Sequence, residues 1–365
     1  MVFVTLFTRL KNVHLLKDVG MIPYLLHRDF DVNSIVVSCR NDKEYPYIDS
    51  EVKGLKQMFI KKGPISPIFS GAKFVWKNAS KIDVLNVYHL NLSSFIYLLI
   101  YKFRKKAGGK GYLKLDMDLN GYKRLFMLNP VGFIKRITMN LADVVSVETT
   151  TIAEWLGNKY GSKILYIPNG FYTDEKKPLR KFGKENIILT VGNIGTYPKA
   201  TDVLLEAFAG AAAGNDWKLV LAGPVDKKFE HFIEEFMKKH RDLKDRIIFT
   251  GPITDKKILN DYYRKAKIFT LPSRSESFGI VLLEAAACGD FLVTTTGVPA
   301  GKDIYNDGKF GYIVPTDDSV ALSGSFVRLM NSSADWEERA IEIADYTWHD
   351  FRWEPIITKL YENLR

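Results

Sequence analysis

The sequence predicts an α/β protein of two domains, each built on a parallel sheet. Three observations carry this. A chain of 365 residues exceeds what one hydrophobic core organises. Short β-branched apolar runs alternate with helix-forming stretches in both halves of the chain. Near residue 280 one such unit is complete: Lys267 to Leu271 and Asp290 to Thr295 read as buried strands, with Phe278 to Ala287 between them apolar almost all round. Strand, loop, buried helix and strand make a βαβ crossover.

The elements follow in order. Residues 1–8 are apolar until Arg9, the reverse of a secretory signal, and read as a buried first strand. A polar loop, Asn12 to Gly20, leads to a helix from Met21 to Arg28 and a strand from Val32 to Val37. Residues 46–80 carry Pro64, Pro67 and Gly71 among scattered aromatics, so an irregular or partly helical segment is expected. Val84 to His89 is a strand ending on a histidine, Ser94 to Arg104 a helix, and Gly111 to Leu115 a strand ending at Asp116-Met117-Asp118. The strand Ala142 to Val147, a helix around Ile152 to Lys159 and the strand entering Ile167-Pro168-Asn169-Gly170 close the first half. Pro168 restrains that exit and Gly170 supports a tight turn. Thr173 to Glu185 is polar and reads as a linker.

Ile187 to Gly192 opens the second half, with a loop from Asn193 to Lys199 and a helix from Ala200 to Ala212. The loop is not the Gly-x-Gly-x-x-Gly dinucleotide fingerprint. Strands at 217–222 and 247–253 and helices at 229–240 and 255–265 lead into the crossover; Gly311 to Val314 is a last strand and Trp348 to Leu364 a terminal helical region.

Two cysteines, Cys39 and Cys288, form neither a metal spacing nor a disulfide framework, which fits a reducing cytoplasm. The longest apolar helical run is far short of the roughly 20 residues that span a bilayer. The net charge of +10 is unevenly placed: 25 Lys and Arg face 13 Asp and Glu through residue 165, and 27 face 29 beyond it. The basic clusters at Lys61-Lys62, Lys102 to Lys106 and Lys135-Arg136 adjoin Phe59, Tyr101, Phe103 and Phe133. Basic residues interleaved with aromatics suit an anionic membrane surface. No nucleic-acid-binding motif accompanies the charge, so a nucleic-acid partner is not expected.

Chemistry concentrates in Pro272-Ser273-Arg274-Ser275-Glu276-Ser277-Phe278-Gly279-Ile280 and the following Val281 to Gly289. A helix start offers unpaired N–H groups and a positive dipole end, and Gly279 lets a ligand approach closely, which suits a phosphate. Glu276 and Glu284 are eight residues apart, roughly 12 Å if both lie on one helix. A glycosidase acid/base pair sits about 5–9.5 Å apart. The two carboxylates therefore suit the two ends of one long polar ligand, a hexose joined through a diphosphate to a ribose.

This Glu-x7-Glu unit resembles the signature of the family 4 retaining glycosyltransferases. The resemblance implies the GT-B fold: two Rossmann-like domains facing a central cleft, with residues 1–172 binding the acceptor, 173–347 binding the nucleotide sugar, and a C-terminal helix, 348–365, crossing back onto the first. It implies that Glu276 faces donor-sugar hydroxyls and that Phe278, Gly279 and Ile280 offer backbone N–H groups to sugar and phosphate. Glu284 would hold the ribose, and Pro252 and Ile253 would line the base. In the 193–199 loop, with Gly195 at its turn, Lys199 matches the family's diphosphate lysine, while Asn193 stands where an arginine is expected. Gly20 matches the glycine of the family's first loop, which faces acceptor and donor phosphates. The family's catalytic-site histidine is replaced by Asp116; Asp116 or Asp118 would then orient or deprotonate the acceptor hydroxyl, with His89 as a second candidate. An Asp-x-Asp pair also suits a divalent metal, but the family needs none, and no cofactor is expected.

The implied activity is sugar transfer from a UDP- or GDP-sugar to a hydroxyl of a lipid-linked or polysaccharide acceptor, with retained configuration, by a cytoplasmic enzyme peripheral to the inner membrane face. The alternatives are a nucleotide-sugar epimerase of the same fold and a non-catalytic nucleotide-sugar-binding protein.

Overall fold

The computed structural model describes residues 1–63, 66–117, 119–171, 173, 175, 177–333 and 335–365, with backbone only for 119 and 120. Pro64 and Asp118 therefore lie outside the described residues. The chain divides into two compact units, residues 1–170 with 353–365, and residues 171–352.

The first unit runs β1 (Val2–Leu6), α1 (Asp18–Phe30), β2 (Asn33–Ser38), α2 (Tyr47–Ser50), β3 (Lys56–Phe59), α3 (Pro67–Asn78), β4 (Val84–Tyr88), α4 (Leu92–Arg104), β5 (Lys110–Lys114), α5 (Leu119–Leu125), α6 (Pro130–Leu141), β6 (Val144–Val147), α7 (Thr150–Tyr160) and β7 (Ile164–Tyr166). Its sheet is wholly parallel, in the order β3-β2-β1-β4-β5-β6-β7. The central strands are buried on both faces, which is why they read as apolar runs rather than alternating ones.

The second unit runs β8 (Glu185–Val191), α8 (Thr201–Ala211), β9 (Lys218–Ala222), α9 (Glu230–Lys239), β10 (Ile247–Gly251), α10 (Lys256–Lys265), β11 (Ala266–Leu271), α11 (Ile280–Ala287), β12 (Phe291–Thr295), α12 (Gly301–Ile304), β13 (Gly311–Val314), α13 (Ser319–Met330) and α14 (Trp336–Asp350). Its parallel sheet has the order β10-β9-β8-β11-β12-β13. In each sheet the strand order reverses once, between β1 and β4 and between β8 and β11. Ligands of such sheets bind outside the carboxyl ends of the strands at this point.

Several expectations are corrected. Residues 46–80 are partly helical, as one of the two expected forms, but also hold a strand, β3, that was not expected; the three-turn helix α3 starts where Ser66 accepts from the Ile68 amide with Pro67 at the first helical position. The helix expected from Trp348 is two: α14 ends at Asp350 and α15 (Trp353–Leu364) begins after a break at which the Phe171 amide donates to the Phe351 carbonyl. Gly170 has no left-handed backbone; the Trp353 ring, 2.8 Å from where a Cβ would stand, demands the glycine. Helix α15 belongs to the first unit, where Tyr361 stacks on Phe30 of α1.

The segment entering the second unit is pinned. Glu337, in the first turn of α14, accepts from the amides of Phe182, Gly183 and Lys184. The Lys184 ammonium is buried against Asp290 at 2.6 Å and donates to the Ala266 and Cys288 carbonyls, with side-chain exposures of 1% and 0% for the pair. Removing one member strands a buried charge, which costs about 3–5 kcal/mol. Asp290→Ala is therefore expected to lower stability of the second unit by that amount in a urea titration, and Asp290→Asn, which keeps an acceptor, by less.

Candidate functional site

In the second unit the loops that follow β8 and β11 are neighbours because their strands pair. The β8 loop passes Asn193, turns at Gly195 and reaches Lys199 in a short 3-10 turn, 197–199. Gly195 is required twice over: its φ is +82°, and a Cβ would meet the Phe229 ring at 2.4 Å. The Gly195 amide donates to Thr201 Oγ1 at the start of α8, which fixes the turn. Asn193 is exposed and its carbonyl accepts from Thr196 Oγ1.

Glu276 lies in the loop, four residues before α11, and not on the helix, so a separation counted along a helix does not apply to it. It is not a helix cap. Its Oε1 takes two donors, the Lys199 ammonium and Ser273 Oγ (2.9 Å), while its backbone amide donates to the Gly297 carbonyl. Lys199 and Glu276, 77 residues apart, thus form an ion pair at the reversal point of the sheet. Gly279 is the N-cap of α11 with φ +86°, and Phe278 is fully buried beneath the loop. The helix proper begins at Ile280, so its free amides open onto the same loop as Glu276.

Glu284 sits one turn further along α11, half-buried, and accepts from the Tyr263 hydroxyl at 2.8 Å. Burial raises its carboxyl above the usual range, against the opposing pull of that hydrogen bond. Pro252 and Ile253 follow β10, at the edge of the sheet two strands from β8; Pro252 is exposed and Ile253 packs on the core. All the expected donor residues therefore lie beyond carboxyl ends of strands of one sheet or on the helix that follows.

In the first unit the corresponding edge carries a buried charge cluster that sequence reasoning missed. Lys114, the last residue of β5, is wholly buried, 3.0 Å from Glu148 after β6 and 3.8 Å from Asp18 at the start of α1. Asn169 Nδ2 donates to the same Glu148 oxygen, and the Tyr88 hydroxyl to the Asp18 carbonyl. Asp116 is exposed just beyond β5, close enough for its charge to act on both Asp18 and Glu148. His89 follows β4 with φ +64°; its amide donates to the Lys114 carbonyl and its ring lies edge-on to Phe7 and Tyr88. Asp116 and His89 are thus on adjoining strand ends. Gly20 is displaced from its expected place: it lies buried in the first turn of α1, where a Cβ would meet the Leu15 carbonyl at 2.3 Å. Close packing, not an open loop, accounts for that glycine. Asp118 lies outside the described residues, and among those described no three His, Cys, Asp or Glu side chains gather as a metal site.

The cluster holds more carboxylates than cations. Burial pushes the Glu148 carboxyl up to about 8, with Asp116 and Asp18 adding to the rise against the Lys114 ammonium. Its second oxygen, Oε2, is buried without a partner, as fits a group that keeps its proton.

Residues 171–345 match the family model described as Glycosyl transferases group 1. Among curated relatives, the phosphatidyl-myo-inositol mannosyltransferase of Mycobacterium leprae is 28% identical over 219 residues, 58% of this chain and 56% of that protein. The chain spans about half the length of the curated relatives it matches. Sucrose-phosphate synthase from Thermosynechococcus elongatus superposes with a TM-score of 0.74 at 18% identity, covering 100% of this chain and 98% of that one. Anabaena HepE, solved in complex with UDP and glucose, gives 0.72 at 14%, covering 100% and 99%. These likenesses are of fold, and the fold is GT-B.

A carboxyl whose pKa is raised on folding keeps a proton that the unfolded chain sheds above about 4.5. Stability then falls as pH rises from about 4.5 to about 8, by at most about 1.4 kcal/mol per pH unit, and is flat beyond. Glu148→Gln is expected to remove that slope from thermal midpoints measured between pH 5 and 9, whatever it does to the midpoint at one pH.

Proposed function

With residues 171–345 matching the family model of group 1 glycosyl transferases, we propose that the protein moves a hexose-type sugar from a nucleoside diphosphate sugar to an acceptor hydroxyl, retaining the anomeric configuration and requiring no metal. The observation that carries the proposal is the Lys199–Glu276 pair at the reversal point of the second sheet, beside the open start of α11. Each half of the pair complements one part of the donor: an ammonium for the diphosphate, a carboxylate for sugar hydroxyls. Among the described residues both side-chain donors to Glu276 meet Oε1, and Oε2 is offered to the sugar.

In the transfer, the bond from the anomeric carbon to the diphosphate oxygen breaks and its electron pair leaves with the phosphate. The acceptor oxygen bonds to that carbon on the same face, and its proton passes to the departing phosphate. Lys199 and the α11 amides stabilise the charge that builds on the diphosphate, the role that a cation plays elsewhere. Glu284, oriented by Tyr263, reads the ribose, and Pro252 and Ile253 flank the base.

The acceptor is proposed to be lipid-linked or otherwise anionic, met at the inner face of the cell membrane. Helices α3, α4 and α6 pack side by side in the first unit. Around them stand exposed apolar side chains, Phe69, Trp76, Phe103, Leu128 and Phe133, with Phe103 81% and Leu128 98% exposed. Lys61, Lys62, Lys73 and Lys77 line a groove of about 600 Å³ beside Phe69 and Phe74. Basic residues among exposed aromatics suit anionic headgroups. The name of the mycobacterial relative, a phosphatidylinositol mannosyltransferase, supports a lipid acceptor. No described helix is long and apolar enough to cross a membrane.

A thermal-shift panel of UDP- and GDP-sugars is expected to identify the donor. With it, Glu276→Gln should lower turnover by about 10²–10³-fold while UDP still binds, and Lys199→Met should weaken UDP itself. Turnover unchanged in Glu276→Gln would overturn the proposal, and loss of turnover in EDTA would overturn its metal independence. The protein should float with vesicles containing anionic phospholipid at low salt and less at high salt; no flotation at low salt would remove the membrane from the account.

A further inference from the structure

Arg274 stands two residues before Glu276 and has no part in the roles above. Its side chain is only 15% exposed. Nε donates to Asp317 Oδ1 (2.5 Å), Nη2 to Asp202 Oδ2 (2.7 Å) and Nη1 to the Tyr197 carbonyl (2.8 Å). Its backbone amide donates to the Pro198 carbonyl at 2.8 Å, and its guanidinium lies 4.7 Å from the centre of the Tyr197 ring. Tyr197 and Pro198 immediately precede Lys199. Asp202 is in the first turn of α8, and Asp317 is in the turn after β13. One planar fork thus joins the loops that follow β8, β11 and β13, all at the carboxyl edge of one sheet.

We infer that Arg274 is a positioning residue that holds the Lys199 loop against the Glu276 loop, so that ammonium and carboxylate meet the donor at a fixed spacing. It is not itself a phosphate ligand. Each of its three nitrogens already donates to the protein, and two carboxylates leave the group with net negative surroundings, which repel a diphosphate. A lysine could not replace it, since a single ammonium cannot span two carboxylates and a carbonyl in this planar arrangement. The loop it ties down is otherwise exposed: Tyr197 is 78% accessible. Lys199 reaches Glu276 from a three-residue turn with a left-handed residue, Ala200, behind it. Without the fork, the geometry of Lys199 rests on that turn and on two backbone ties, Arg274 amide to Pro198 carbonyl and Gly195 amide to Thr201 Oγ1.

The inference rests on the donor-site reading proposed above, and the test separates the two. UDP binding is measured by calorimetry for Arg274→Met, Arg274→Lys, Lys199→Met and the double variant Arg274→Met/Lys199→Met. Arg274→Met and Arg274→Lys are each expected to weaken UDP about tenfold, the middle of the range for residues sharing one hydrogen-bonded network. The double variant should bind UDP no more weakly than Lys199→Met alone, because Arg274 acts through that lysine. Asp317→Asn, which removes one exposed arm of the fork, should cause a smaller loss that again vanishes without Lys199, and it serves if Arg274→Met does not fold. If Lys199→Met leaves UDP binding intact, the donor site has been misplaced. If Lys199→Met weakens UDP but the Arg274 and Asp317 variants do not, or if their losses multiply with that of Lys199→Met, the positioning role is wrong.

Discussion

The contact between the Lys199 ammonium and the Glu276 carboxylate is the one on which the functional reading turns. It exists because β8 and β11 are neighbours in space, although β9, β10 and three helices separate them in sequence. A parallel sheet with a single reversal of strand order brings two loops together that nothing local would join, and both loops end in short, strongly turned segments that aim one charged side chain each. Part-buried ion pairs of this kind add little to stability once desolvation is counted. Their value is that each charge is already held in place before a ligand of complementary charge arrives, so less ordering remains to be done on binding.

Each unit also contains a lysine taken entirely out of water, and the two differ in a telling way. Lys184 meets a single carboxylate, Asp290, and a ring of backbone carbonyls at the start of the second unit; burial pushes that carboxyl up to about 8 against the pull of the ammonium. Lys114 meets Asp18 and Glu148 together, with Asp116 nearby, so carboxylates outnumber it. An imbalance of that sign beyond the carboxyl ends of β5 and β6 favours a proton on the buried Glu148 carboxyl.

Much of this was legible in the sequence, and the failures have physical causes. The inner strands of both sheets were readable because they are buried on two faces and so mostly apolar, whereas β3, an exposed edge strand, was not foreseen. The stretch from Pro272 to Gly289 was readable because a buried helix with a glycine cap has few other spellings. Helix α6 was passed over, although Asn129-Pro130 places a capping side chain before a proline at the first helical position; at α3 the similar Ser66-Pro67 start was not used, because Pro67 was weighed as a breaker. Glu276 was counted along a helix that starts only at Ile280. Lys114, Tyr263 and Arg274 carried no local signal at all, because their charged or hydrogen-bonded partners stand far off in sequence: Glu148 34 residues from Lys114, Glu284 21 from Tyr263, and the partners of Arg274 between 43 and 77. Burial of a charged residue is decided by what meets it, and composition does not record meetings.

Helix α15 packs in the first unit against α1, through Phe30 and Tyr361, with Glu354 3.7 Å from Arg28. Between its first residue and Gly170 lies the whole of the second unit. On a ribosome adding about 5–20 residues per second, the partner that covers that side of α1 arrives roughly ten to forty seconds after the rest of its unit has emerged. During that interval the second unit can complete its own folding as an insertion, while an apolar strip of α1 stands open to chaperones and to neighbouring nascent chains. The order of synthesis thus makes the first unit, although it leads the sequence, the last to finish.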